Sequence, residues 1–245
     1  MTTAPGNQTP TTTVHLPPTR PPRRRWRVPL LVLAIGALVV GGIVAAAVAI
    51  VGAGAGVATA VSLKTETTTE TFTGVREITV DVDEGHVAFT AATGADVEVV
   101  TTRTSQPDYA PLTSRRVDGG VLTAIGDCPD LNFGCETEYR IAVPAGTVVH
   151  ARTVSGAVEA TGIDAARFSA DTVAGAVSAS LVRVPDEVRI ETVNGSVRLE
   201  VPQHAYRVSA DSSVGAVHVG VPDEPSATAR IDVDTVAGAI DITAR

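Results

Sequence analysis

The amino-acid sequence predicts an all-β protein: a parallel β-solenoid with coils of about 20 residues, preceded by a single transmembrane α-helix. Three observations predict it. A short phrase returns through the second half of the chain as Thr153-Val-Ser-Gly-Ala-Val158, Thr172-Val-Ala-Gly-Ala-Val177, Thr192-Val-Asn-Gly-Ser-Val197 and Thr235-Val-Ala-Gly-Ala-Ile240, with Ser212-Ser-Val-Gly-Ala-Val217 as a degenerate copy. From Val75 onward apolar residues alternate with polar ones, and no window holds a capped helical period. Ahead of both lies an uncharged apolar run, Val28 to Val51.

In chain order, residues 1–27 read as a disordered basic cytoplasmic tail. They carry five arginines and no acidic residue, and Thr, Pro, Gly, Asn and Gln dominate up to Pro22, a composition that buries too little apolar surface to fold. Pro17-Pro18-Thr19-Arg20-Pro21-Pro22 can dock on a partner as a polyproline helix, although such runs are more often plain tail.

Residues 28–51 are 24 positions without a charge, which at about 1.5 Å each exceed a hydrocarbon core of roughly 30 Å. They are read as a helix held in the lipid bilayer of the plasma membrane. Arg23-Arg24-Arg25-Trp26-Arg27 keeps the N-terminus cytoplasmic and places Trp26 at the headgroups, which leaves the C-terminal domain extracellular. A signal peptide cleaved after Ala60 competes, because Ala58-Thr59-Ala60 has the small-x-small form, but the apolar run is longer than the roughly 7 to 15 residues of a signal core. Gly36, Gly41, Gly42 and Ala45 can let two helices approach closely, yet small residues are common in any Ala-rich span.

Residues 52–74 read as an extracellular stalk, Gly-Ala alternation followed by Lys64-Thr-Glu-Thr-Thr-Thr-Glu-Thr, with a first strand near its end. The domain proper is expected over 75–245. Ile78, Val80 and Val82, then Val87 and Phe89, then Val97 and Val99 mark short strands divided by turns at Glu84-Gly85 and Thr93-Gly94-Ala95-Asp96. Ser105 to Arg116, with Pro107 and Pro111, is expected to be a surface loop, and Val117-Asp-Gly-Gly-Val121 the turn of another strand pair.

Cys128 and Cys135 are the only cysteines. In an oxidising space outside the membrane they are expected to form a disulfide, and closing that loop stabilises by about 2.5 kcal/mol in the chain-entropy model. Redox pairs favour Cys-x-x-Cys, and a zinc site needs further ligands close by.

The glycines of the phrase sit at 156, 175, 195, 215 and 238, so successive steps are 19, 20, 20 and 23 residues. Each unit is read as strand, tight turn, strand, longer turn. In the third copy Val188, Ile190 and Thr192 alternate before the turn and Val197, Leu199 and Val201 after it, with Pro202 closing the coil. Stacked coils would lay Gly156, Gly175, Gly195, Gly215 and Gly238 over one another as structural turns, and Val158, Val177, Val197, Val217 and Ile240 in one interior column. A ligand site would single out one or two of these glycines, not all of them.

Chemistry is sparse. Asp171, Asp211 and Asp234 precede the Thr or Ser of the phrase and could ladder on calcium, but the place holds Arg152 in one unit and Glu191 in another. Asp171 and Glu191, one unit apart, are the nearest approach to an acid pair of a carbohydrate-active β-helix enzyme. His86, His150, His204 and His218 lack ligand spacing, and there is no nucleophile elbow or phosphate loop. No catalytic, cofactor or metal residues are therefore assigned. The net charge is −8, and after residue 27 the chain holds 14 basic and 27 acidic residues, which argues against nucleic acid as a partner.

A basic tail, one membrane helix, a Cys-Pro…Gly-Cys loop followed by Tyr139-Arg-Ile-Ala-Val-Pro-Ala-Gly146, and Thr-Val-Ser-Gly-type repeats together resemble the bacterial "putative adhesin" family, domain of unknown function 4097, over residues 72–245. The resemblance implies a parallel β-solenoid on the outer face of the plasma membrane and brings no catalytic residues. The Ser212 copy departs from the pattern, which puts the interior packing of its coil in question. The function expected is a non-enzymatic, membrane-anchored adhesion, binding or scaffold module of the cell envelope, with a protein or cell-wall polymer as partner. Self-association through an open C-terminal edge after Ile240 is a further expectation. An accessory protein of envelope-stress sensing is the alternative, and a carbohydrate-active enzyme the remote one.

Overall fold

The computed structural model describes residues 63–106, 110–128 and 134–245. The expected tail and membrane helix and the first part of the expected stalk, residues 1–62, lie outside them. Two mixed sheets make up the domain, with strands numbered in chain order. The first sheet runs β1 (Lys64–Phe72), β4 (Val97–Ser105), β7 (Glu136–Val143), β3 (Val87–Ala91), β9 (Val158–Ile163), β11 (Val177–Leu181), β13 (Val197–Val201), β17 (Ile240–Ala244), β15 (Val217–Val219). The second runs β14 (Arg207–Val214), β16 (Arg230–Ala237), β12 (Glu187–Asn194), β10 (Ala165–Ala174), β8 (Thr147–Ser155), β2 (Glu77–Glu84), β6 (Val121–Asp127), β5 (Leu112–Asp118). The described residues contain no helix.

Each phrase joins a strand of the second sheet to a strand of the first, so the units β8/β9, β10/β11, β12/β13, β14/β15 and β16/β17 all cross between sheets at their glycine. Neighbouring units pair in parallel and in register. Phe168 lies opposite Val188 and Val188 opposite Ile231, while in the first sheet Val177 lies opposite Val197 and Val197 opposite Ile240. Period-2 alternation sends these side chains inward, where residues of both sheets form one buried core.

Four expectations need correction. The sequence leads one to expect a single unbroken parallel coil; instead β1, β4 and β5 pair antiparallel, and the units are stacked out of chain order. The last unit, β16/β17, lies between β12/β13 and β14/β15. Residues 202–206 carry the chain two places along the stack, and the longer connection of residues 220–229 brings it back one place to the gap. Hence β17 is paired with β13 along its length and with β15 over Ile240–Ile242, and the open edge belongs to β14 and β15.

The first strand expected near the end of the stalk is present but begins already at Lys64, where β1 pairs with β4 along its whole length. Its eight leading residues are exposed, so no apolar alternation announces it, and β-branched threonines supply the strand preference. Likewise the loop expected over Ser105 to Arg116 gives way to strand from Leu112. Leu112–Asp118 is an edge strand joined to β6 through Gly119 and Gly120, whose φ of 58° and 85° fit a two-residue hairpin turn.

Candidate functional site

The repeated phrase builds two ladders. Gly85, Gly156, Gly175, Gly195, Gly238 and Gly215 lie over one another in stack order, and a methyl group on any of the last five would collide with the carbonyl oxygen of the glycine before it. Close backbone approach therefore dictates glycine there. Beside this column the hydroxyls of Thr172, Thr192, Thr235 and Ser212 donate to the carbonyls of Gly156, Gly175, Gly195 and Gly238 at 3.4, 3.4, 3.3 and 2.9 Å. The four threonines of the phrase are buried, so their hydroxyls must be satisfied inside the protein. Both ladders hold the fold together and leave no room for a ligand.

The carboxylates singled out by the sequence stand on the outer face of the second sheet. Parallel register sets Arg152 opposite Asp171, Asp171 opposite Glu191, Glu191 opposite Asp234 and Asp234 opposite Asp211. Adjacent strands lie about 4.8 Å apart, so like charges crowd. Loss of hydration raises the Asp171, Glu191 and Asp234 carboxyls above their ordinary range; neighbouring carboxylates add to it at Glu191 and Asp234, while Arg189 opposes it at all three. Arg189 pairs with Glu191 directly. Asp171 and Glu191 do meet, as an acid pair would require, but what surrounds them is more surface charge and not a cavity. Among the described residues no group of three His, Cys, Asp or Glu side chains is placed to hold a metal ion.

The histidines are kept apart. His86 stands 3.7 Å from Glu159 and His150 3.8 Å from Glu77, His204 meets the edge of Tyr206, and His218 is exposed on β15. Cys128 and Cys135 form a disulfide with a Cα separation of 5.9 Å. Beside it lies a surface hollow of about 480 Å³ between Leu63, Glu84, His86, Thr104, Cys135 and Ser155.

The two ends of the stack differ most; sequence reasoning missed the first and, at the second, singled out the weak packing of the Ser212 unit but not its place at the edge. At the β1/β5 end Arg115 turns inward from β5, donates to Thr101 Oγ1 at 2.7 Å and places its Nε 2.6 Å from Glu70 Oε2, linking the second sheet to β4 and β1 of the first. Tyr139 spans the same gap, donating to the Ile125 carbonyl at 2.6 Å; burial pushes its phenol up to about 12, so it stays a donor. At the other end no strand among the described residues pairs with the outer side of β14 or β15; residues 222–224 cover only its start, where Pro222 and Glu224 bond the backbone of Tyr206 and Asp223 Oδ1 accepts the Val208 amide at 3.1 Å. Val214, Val217 and Val219 are 69%, 42% and 37% exposed there, whereas Val158, Val177, Val197 and Ile240, which share the column of Val217, are at most 1% exposed. The signal available in the sequence was the degenerate phrase itself, in which Ser212 and Ser213 replace Thr-Val.

No protein-family model matches the chain, and no curated protein matches it. Among solved structures, it is similar to a "putative cell adhesion protein" from Clostridium sporogenes ATCC 15579, with a TM-score of 0.58 and 15% identity over 74% of this chain and all of that one (100%). It also aligns with a "putative adhesin" from Parabacteroides merdae ATCC 43184 (TM-score 0.36, 13% identity, 73% of this chain and 81% of that one) and another from Bacteroides fragilis NCTC 9343 (TM-score 0.32, 12% identity, 74% and 97%). The first likeness shows a shared fold; the other two carry no argument.

Proposed function

We propose that this chain is a non-enzymatic binding module of the cell envelope, a modified β-solenoid of the adhesin type, anchored to the plasma membrane through residues 28–51 and displayed outside it. The open β14/β15 edge is the observation that carries the reading. It offers unpaired backbone groups and exposed valines, the features by which sheets take up a further strand. A chain tethered through the residues before Lys64 is tethered at β1. It then presents β15 on the opposite side of a 9-stranded sheet, about 38 Å away at 4.8 Å per strand. The Cys128–Cys135 disulfide agrees with an oxidising compartment, and the charged outer faces agree with a surface in contact with water.

Cross-linking in intact cells followed by capture of the full chain tests this reading. A protein or wall polymer recovered with the chain, and lost when Val217 and Val219 are changed to Asp, is the expected result. Recovery that is indifferent to those two positions would move binding away from the edge, and release of the chain into the medium would remove the anchor.

A further inference from the structure

We propose that the outer face of the second sheet is a docking track for a basic, proline-rich segment of a partner protein, which lies along the stack as a polyproline helix with a cation at every third residue. The track is a surface separate from the β14/β15 edge and does not depend on it. It uses the one part of the repeated phrase that the glycine and hydroxyl ladders leave unexplained.

In every complete copy of the phrase a valine follows the threonine: Val154, Val173, Val193 and Val236. Alternation turns the threonine inward to a glycine carbonyl and the valine outward. Parallel register sets the four valines side by side on β8, β10, β12 and β16, with Asp83 beyond one end of the row and Ser213 beyond the other. Val154 is 43% exposed and the other three are half-buried. Strands about 4.8 Å apart make of them an apolar row about 14 Å long that runs across the strands.

Two residues earlier on each strand, and on the same face, lies a charged row: Asp81, Arg152, Asp171, Glu191, Asp234 and Asp211. Its charges alternate in availability. Asp81, Asp171 and Asp234 stand at every second place and form no ion pair among the described residues. Between the first two is Arg152, and between the last two is Glu191, which Arg189 of the same strand takes up. Loss of hydration already burdens the Asp171 and Asp234 carboxylates, and a cation brought to each would offset it.

The two rows together select the occupant. Backbone groups of a sheet bond in its plane to neighbouring strands, so this face offers side chains alone. A polyproline helix suits it, because that conformation makes no backbone hydrogen bonds of its own and keeps its backbone in water. Its turn of three residues rises about 9.3 Å, and two strand spacings are about 9.6 Å. Cations three residues apart therefore meet Asp81, Asp171 and Asp234 in turn and pass over Arg152 and the Arg189–Glu191 pair. The proline rings between them rest on the valines. An α-helix advances about 5.4 Å per turn, and an extended strand about 6.8 Å between side chains on one side, so neither keeps step with the carboxylates.

A synthetic peptide of Arg-Pro-Pro repeated four times, titrated into the full chain in detergent micelles, tests the track. Asp81→Asn, Asp171→Asn and Asp234→Asn should each weaken its binding about threefold, as should Val173→Thr combined with Val193→Thr. Asp211→Asn, in the same row but out of step, should weaken it less than about twofold, and Val217→Asp with Val219→Asp should leave it unchanged. A peptide of the same composition with its arginines bunched together should bind about fivefold more weakly. The substituted side chains point outward, so a cooperative melting profile shows that each variant is folded. No binding of the repeat peptide, equal binding of the bunched one, or indifference to the three aspartates would each overturn the proposal. Binding lost with Val217→Asp and Val219→Asp would place the peptide at the edge and overturn the track. A partner captured by the edge while the peptide fails to bind would overturn the track and leave the role of the edge standing.

Discussion

The β1/β5 end of the stack and the β14/β15 end solve the same problem in opposite ways. Parallel units stacked in register have no intrinsic stopping point, because each presents to the next the backbone pattern it received from the last. At one end the direction reverses: β4, β1 and β5 add antiparallel, β1 carries Lys64, Glu66 and Glu70 on an exposed strand, and Arg115 bridges the two sheets. Charges of this kind blunt an edge. At the other end the phrase repeats once more, with weaker side chains, and stops. One end is terminated and the other interrupted, and an interrupted end keeps unpaired backbone groups.

Perturbing the interior sets the scale for both ends. Gly175→Ala should destabilise by about 3 kcal/mol or more, since the added methyl collides with the Gly156 carbonyl in the middle of the stack. Chemical denaturation measures it, and a loss under about 1 kcal/mol would mean that the column can spread. Next in size comes the closed end. Arg115→Ala removes the bridge and leaves Thr101 buried without its donor, a loss of about 2 kcal/mol by the same measurement. An equally stable variant would show that the antiparallel strands close that end without it.

Smaller effects compare a buried hydroxyl with one at the open edge. Thr192→Val deletes the bond to the Gly175 carbonyl at nearly constant volume and should cost about 1 kcal/mol. Ser212→Ala deletes the corresponding bond to Gly238 where water can replace it, and should cost less. Equal losses would mean that the edge is as dry as the centre.

The smallest effect is that of pH. Asp171, Glu191 and Asp234 have raised carboxyls in the folded state, so between about 4 and their raised values the folded chain binds more protons than the unfolded one. Their contribution therefore makes stability fall as pH rises through that window, and it levels off above it. Melting profiles from pH 4 to 7 should lose part of that slope in the Asp171→Asn, Glu191→Gln, Asp234→Asn triple variant. A steeper fall with rising pH in the variant would reverse the assignment.

What the sequence made legible was whatever repeats. Glycine at each turn, valine or isoleucine two residues later and alternation on either side specify units that cross between sheets, and the cysteine spacing specified the disulfide. Strand order was hidden, because a unit pairs equally well with any unit of the same phrase; only the longer step before Gly238 hinted at a departure from chain order. Gly85 belongs to the glycine column but lies 71 residues before Gly156, so no period reveals it. Lys64–Phe72 escaped because an edge strand exposed on both faces has no apolar side to advertise. The hydroxyl ladder was present in every copy of the phrase, as the Thr or Ser three residues before glycine, and needed the stacking to give it meaning.

The placement of β16/β17 also orders events in time. Strand β14 is synthesised before β16, yet in the finished domain its only neighbour in the sheet is β16. Until Arg230–Ala244 has been made, β14 and β15 have nothing to dock on, and the growing face of the stack is β12/β13. The final unit must enter between two segments that already exist, which ties completion of the far end to the last strands of the domain. Contacts this distant along the chain are slow to close. A nascent chain should thus keep its Arg207–Val219 segment protease-sensitive until late, and acquire its open edge in the same step that completes its core.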